Sequence, residues 1–136
     1  MALSATVVGA GIAGLAAAAG LAQRGWDVTV AERAPATRAD GAGLTLWPNA
    51  MAALDAIGIG DAVRDIGAPV RRAVISRADG KKLAELPIAA LTGRYGPLIA
   101  VHRGELHRVL TDGFSGDLRY GATATTVDGQ DRKSVV

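Results

Sequence analysis

Near the N-terminus two short runs that mix polar and β-favouring apolar residues flank an unbroken apolar stretch of small and leucine side chains. Ser4 to Val8 is a short β-rich run that ends at Gly9. Ile12 to Gln23 is rich in alanine and leucine, contains no proline and has strong helix propensity, and Gly25 follows as a stop signal. Asp27 to Glu32 (Asp-Val-Thr-Val-Ala-Glu) predicts a second strand. Strand, glycine turn, helix and strand within about thirty residues is the length of a βαβ unit. Such a unit implies parallel strands joined by a right-handed crossover.

Later elements are shorter. Ala34 to Asp40 is a polar loop, and Gly41 to Leu46 is a glycine-rich approach to a short strand. Pro48-Asn49 opens a helix in which Met51, Leu54 and Ile57 share a face, and Gly58 stops it. Gly60 to Gly67 predicts another short helical turn. Val70 to Arg77 and Lys82 to Leu86 flank Asp79-Gly80, a favourable hairpin turn pair. Leu98 to His102 is expected to be a third core strand, Glu105 to Phe114 a helix, and Leu118 to Tyr120 and Ala122 to Val127 late strands. The fold class expected is α/β: a Rossmann-like, three-layer dinucleotide-binding domain with a parallel sheet and a small β-hairpin excursion. Residues 1–128 are expected to form that domain and residues 129–136 a loose tail.

Composition narrows the chemistry. The 136 residues include 28 alanines and 18 glycines, so elements must approach backbone to backbone. There is no cysteine, which excludes disulfide scaffolds and thiolate chemistry, and two histidines are too few for a histidine-rich metal site. The net charge of +2 comes from scattered basic residues, with no basic stripe that would point to nucleic acid. No charged residue precedes Arg24, which imitates a signal peptide or a membrane span. The absence of an N-terminal cation and the interruptions at Gly9, Gly11, Gly14 and Gly20 argue against both. A soluble, cytoplasmic chain is expected, with no membrane or nucleic-acid partner and no metal.

Gly9-Ala10-Gly11-Ile12-Ala13-Gly14 is a GxGxxG motif lying directly after a strand and opening a helix. Gly9 permits the tight turn, Gly11 lets a pyrophosphate approach the backbone, and Gly14 lets the helix lie close to the sheet. The amides of Ile12 and Ala13 and the positive helix end favour the same anion. Glu32, at the end of the second strand, is placed to accept hydrogen bonds from ribose hydroxyls, and its charge disfavours a 2′-phosphate. Motif and acid together leave FAD and NAD both open, since each carries ADP.

From Thr6 to about Val127 the sequence resembles the FAD-dependent monooxygenases of the para-hydroxybenzoate hydroxylase type. The likeness rests on the glycine motif, on Glu32-Arg33 and on Gly41-Ala42-Gly43-Leu44. It continues through Leu46-Trp47-Pro48-Asn49-Ala50 and Leu54 to Gly58, and through Val101-His102-Arg103-Gly104-Glu105-Leu106 with Leu110. The resemblance implies that Glu32 holds the adenosine ribose with Arg33 beside the adenine. It implies that Arg38, Gly41, Gly43 and Leu44 border the pyrophosphate, ribityl chain and flavin, and that Arg103 reaches the FAD from a helix N-terminus. His102 and His107 are read as structural or surface residues, and no residue is assigned to catalysis.

The activity implied by the resemblance is NAD(P)H-dependent hydroxylation of a small organic substrate, with FAD as cofactor and NADPH or NADH as transient reductant. Members of that family are about three times as long. They continue into a Gly-Asp motif over the flavin and then a substrate-covering sheet, and neither occurs in these residues. The chain is therefore expected to be inactive alone, and a second chain supplying the remainder is one expectation. The alternatives are a non-catalytic FAD-binding remnant, half of a split protein, or a fragment of an NAD-dependent dehydrogenase.

Overall fold

The computed structural model describes residues 3–36 and 41–126. β1 (Ser4–Val8), α1 (Ile12–Ala22) and β2 (Asp27–Glu32) form the βαβ unit that the pattern predicts. β1 runs parallel to β2, with Ala5 beside Val28 and Val7 beside Val30. β8 (Asp117–Tyr120) joins the other side of β2, again in parallel, with Leu118 beside Val30 and Tyr120 beside Glu32. The sheet order is β1-β2-β8.

This register puts Val7, Val30 and Leu118 on one face, and that face meets α1. Val28, Val30, Leu15, Ala18 and Ala19 are buried in one cluster, with Val7 and Leu118 packed against it. On the opposite face Ser4, Thr6 and Val8 are exposed. Three layers were expected, but among the described residues helices cover only one face of the parallel sheet. The sequence carries the reason. Its strands alternate polar with apolar, whereas parallel strands covered on both faces read as unbroken apolar runs.

The expected third core strand is β7 (Ile99–His102), and its Ile99 and Val101 are buried. It belongs, however, to a second sheet. β7 lies between β3 (Gly43–Leu46) and β4 (Ala68–Pro69), antiparallel to both. A short apolar run fits any buried strand, so periodicity alone does not say which sheet it joins. Proline in β4 is tolerated because that strand is at an edge.

Three further helices complete the core. α2 (Pro48–Ala56) has proline in its first turn, where a missing N–H costs nothing. α3 (Gly60–Ile66) contributes Val63, and α5 (Arg103–Asp112) contributes Leu106, Val109 and Leu110 to the cluster that also contains Met51, Leu54 and Phe114. α5 starts two residues before the expected Glu105, because the His102 side chain caps it: Nδ1 accepts the Gly104 N–H at 3.2 Å.

The Asp79-Gly80 hairpin forms between β5 (Ala73–Ser76) and β6 (Lys82–Leu86), with Gly80 at φ +84 and Asp79 Oδ1 accepting the Lys81 N–H at 3.0 Å. α4 (Ile88–Tyr95) follows Pro87 and has no counterpart among the expected elements; it contains a central glycine and buries only Ile88. The strand expected over Ala122 to Val127 is absent from its described part, 122–126. The chain turns at Gly121, φ +67, and the amides of Gly121 and Ala122 donate to the carbonyls of Ala34 and Glu32 instead of extending a ladder. Val127 and the 129–136 tail lie outside the described residues.

Candidate functional site

The glycine loop joins β1 to α1 at the carboxyl end of the parallel strands. Gly9 adopts φ +99, a conformation that strains any residue with a side chain, and its N–H donates to the Ala31 carbonyl at 2.8 Å. A Cβ on Gly14 would fall on the Gly9 carbonyl oxygen, so α1 begins directly against the loop. Gly11 is the N-cap of α1, and no side chain caps the helix there. A Cβ on Gly11 would meet no atom within 4 Å, so its approach is open. The first bond of α1 joins the Leu15 N–H to the Gly11 carbonyl. The amides of Ile12, Ala13 and Gly14 precede it and form the positive end of the helix.

Glu32 ties this loop to the end of β2. Its Oε2 accepts the Ala10 N–H at 2.7 Å and its Oε1 accepts the Ala34 N–H at 2.8 Å. Those bonds, Ala34 first and Ala10 second, hold the carboxyl below the usual glutamate range; burial opposes them and Arg33 reinforces them. The group is thus a fixed carboxylate. Each oxygen retains acceptor capacity for a hydroxyl, and the charge repels a phosphate ester.

The Gly41 loop and Arg103, assigned separately to the FAD by resemblance, lie together in the structure. A Cβ on Gly41 would lie 2.8 Å from the Arg103 Cβ and 3.1 Å from the Gly104 nitrogen, so only glycine lets the loop rest on the start of α5. The Arg103 N–H donates to the Ala42 carbonyl at 3.1 Å, and Gly43 pairs with His102. Leu44 packs its side chain against the core cluster. Arg33 is exposed beside Glu32. Arg38 lies outside the described residues.

α5 touches both clusters. Its first residue, Arg103, meets the 41–43 loop. One turn later, His107 is 7% exposed and places Nε2 2.6 Å from the Ala10 carbonyl oxygen. Of the two readings of His107, structural or surface, its burial takes the first, and the structure adds a contact to the glycine loop that the sequence reading lacks. The signal was legible: His107 sits beside Leu106 and one turn from Leu110 on the buried side of α5, at a spacing where an apolar residue is expected. Among the described residues, no three acidic or histidine side chains converge to hold a metal ion. No helix among them is long and apolar enough to cross a membrane.

An open glycine loop, an uncapped helix start and a fixed carboxylate suit the pyrophosphate and ribose of a dinucleotide. Residues 2–124 match the family described as FAD binding domain. The chain belongs to the FAD-binding-domain family. Between the two dinucleotides that the motif leaves open, membership assigns FAD. The chain is 38% identical over 109 residues to 3-hydroxybenzoate 6-hydroxylase 1 of Aquipseudomonas alcaligenes, covering 78% of this chain and 28% of that protein. It superposes on the tetrameric form of 2-methyl-3-hydroxypyridine-5-carboxylic acid oxygenase with a TM-score of 0.83 at 29% identity, covering 93% of this chain and 33% of that one. It superposes on Klebsiella pneumoniae HpxO, complexed with FAD and uric acid, with a TM-score of 0.69 at 30% identity, covering 88% and 31%. This FAD-binding domain thus spans about a third of the length of the relatives it matches.

Proposed function

We propose that these residues form the FAD-binding portion of an NAD(P)H-dependent flavoprotein monooxygenase that hydroxylates a small aromatic substrate. The carrying observation is that α5 brings two sequence-distant glycine loops to one helix, one held through His107 and the other on Arg103. A two-part site of this kind suits a long ligand with an ADP half and a flavin half. In this reading Gly9, Gly11, Ile12, Ala13 and Gly14 receive the pyrophosphate, Glu32 accepts the adenosine ribose hydroxyls, and Arg33 lies beside the adenine. Gly41, Gly43, Leu44 and Arg103 border the flavin half, with Arg38 in the same loop. Bound FAD supplies electron transfer from a nicotinamide to oxygen. The chain's own residues bind and orient it. The relatives' names support the aromatic substrate class, and a fixed Glu32 carboxylate supports a ligand without a ribose 2′-phosphate.

Hydroxylation needs a site closed to bulk water. Gly41, Ala42 and Gly43 are exposed, and the chain spans about a third of the length of its relatives, so in this reading the described residues supply only part of the enclosure. The 136-residue chain is therefore proposed to hold FAD without coupled turnover; a second chain completing the site is the alternative route to activity. The test titrates the purified chain with FAD and NAD, then supplies NADH or NADPH with a panel of phenols. Tighter binding of FAD, and reductant oxidation yielding hydrogen peroxide without hydroxylated product, is the expected result. Saturable NAD binding without FAD binding goes against the cofactor assignment. Coupled product from the isolated chain goes against the incomplete enclosure.

A further inference from the structure

His107 has a role beyond filling the core. The carbonyl of Ala10 can only accept, so the 2.6 Å contact requires a proton on Nε2. Nδ1 lies 3.4 Å from the Thr111 hydroxyl, whose own proton is directed to the His107 carbonyl at 2.9 Å. The Ala10 carbonyl and the Gly11 N–H belong to one peptide unit, and no peptide bond among the described residues is cis. In a planar trans unit the two groups point in opposite directions. An Ala10 carbonyl turned inward to His107 therefore turns the Gly11 N–H outward, on the side where Gly11 is exposed and unobstructed.

The preceding peptide obeys the same logic. Its N–H, from Ala10, is held by Glu32, and its carbonyl, from Gly9, lies against Gly14. Both peptide units flanking Ala10 are thus fixed, one by β2 and one by α5. Gly11, lacking a Cβ, puts no steric barrier of its own against rotation of the second unit. A rotated unit presents a carbonyl oxygen, and not an N–H, to an anion.

We propose that His107, through a proton on Nε2, is a positioning residue that aims the Gly11 amide at the FAD pyrophosphate. This rests on the FAD reading of the site. The test compares His107→Leu, which keeps bulk but lacks a donor, with His107→Gln, whose amide places an N–H near the position of Nε2. FAD affinity is followed by fluorescence, and the Gly11 amide by nitrogen-15 NMR and hydrogen exchange in ligand-free protein. His107→Leu is expected to weaken FAD binding by about tenfold or more, the effect of one lost hydrogen bond to a buried group. It is also expected to shift the Gly11 amide and speed its exchange, and His107→Gln is expected to restore most of both. Equal FAD affinity in all three proteins, or a Gly11 amide indifferent to His107→Leu, overturns the proposal. If wild type binds no FAD, the cofactor reading fails, and the ligand-free Gly11 amide still decides whether His107 sets that peptide. Should His107→Leu not fold, imidazole nitrogen-15 shifts of wild type read the proton on Nε2 directly, and a bare Nε2 overturns the proposal.

Discussion

The βαβ unit with α5 and the segment from β4 to α4 are built on different principles. In the first, most of the contacts that matter join residues far apart in sequence, His107 to Ala10, Glu32 to Ala10 and Gly41 to Arg103, and a local one presses Gly14 against Gly9 within the loop. Each of these contacts closes on backbone or on a Cβ, which cannot swing aside. In the second, Val74, Ile75, Leu83, Leu86 and Tyr95 are all exposed. Its hairpin is held by its own ladder and by surface ion pairs, Arg72–Glu85 at 2.8 Å and Lys82–Glu85 at 2.9 Å. The same kinds of residue thus carry different weight. A glycine or carboxylate in the first region controls how elements meet, whereas one in the second controls only its own turn.

Two glycine substitutions give this contrast its largest test. Gly14→Ala puts a methyl on the Gly9 carbonyl oxygen, a backbone atom that cannot swing aside. Overpacking of this kind costs roughly 1–3 kcal/mol, and the backbone obstacle argues for the upper end. Moving α1 off the loop should also abolish FAD binding. Gly80→Ala, in the hairpin turn, meets no atom within 4 Å and suffers only from φ +84, costing about 1 kcal/mol with FAD affinity unchanged. Urea unfolding and FAD titration of both variants check this. Equal destabilisation, with FAD binding intact in both, breaks the contrast.

Glu32 sharpens it. Glu32→Gln keeps one acceptor but sets an amide N–H against one of the two backbone donors at Ala10 and Ala34. At pH 7 the expected cost is about 1–3 kcal/mol, the range for a disrupted hydrogen bond to a charged group. The folded carboxyl is held below its unfolded pKa by those donors. Its contribution is therefore complete above the unfolded value, near pH 4.3, and disappears as pH falls through the lower folded value. Unfolding midpoints of wild type and Glu32→Gln should converge as the pH is lowered, and a gap unchanged by acid would assign the effect to something other than the charge.

How much of this was readable beforehand follows the same division. Gly9, Gly11, Gly14 and Glu32 are legible because each satisfies a geometric demand that few other residues meet. The resemblance assigns Gly41 and Arg103 to the FAD separately; their contact with each other comes from the structure, and the missing Cβ is its physical reason. The single covered face of the parallel sheet was already written in Ser4-Ala5-Thr6-Val7 and Asp27-Val28-Thr29-Val30. His107 was harder. Its partner is a carbonyl 97 residues away, and a backbone oxygen leaves no mark in a sequence. The membership of β7 in a second sheet was illegible for a related reason: a four-residue strand records burial, not its neighbours.

The smallest effect is expected at Glu85, and it is informative because the carboxyl itself is strongly perturbed. Hydrogen bonds from Arg72 first and Lys82 second push its pKa down to about 2. By sign alone that is a stabilising pair, complete above the unfolded pKa and lost as pH falls towards about 2. Yet the Arg72 and Lys82 side chains are 67% and 56% exposed, so water and salt screen the attraction and two long side chains lose rotamer freedom to maintain it. Screening that weakens this attraction reduces the shift and the stability together. Glu85→Gln should move the urea midpoint less than Glu32→Gln does at pH 7, and raised salt should shrink the difference further. Carbon-13 titration of the Glu85 carboxyl, at low and high salt, measures the perturbation independently of unfolding. A lowered carboxyl pKa that rises with salt, with a small midpoint loss that shrinks in step, is the expected pair of results. A midpoint loss at Glu85 matching that at Glu32 would mean that the hairpin's ion pairs bind its strands as firmly as the backbone clasp binds the glycine loop, and the distinction between the two regions would fail.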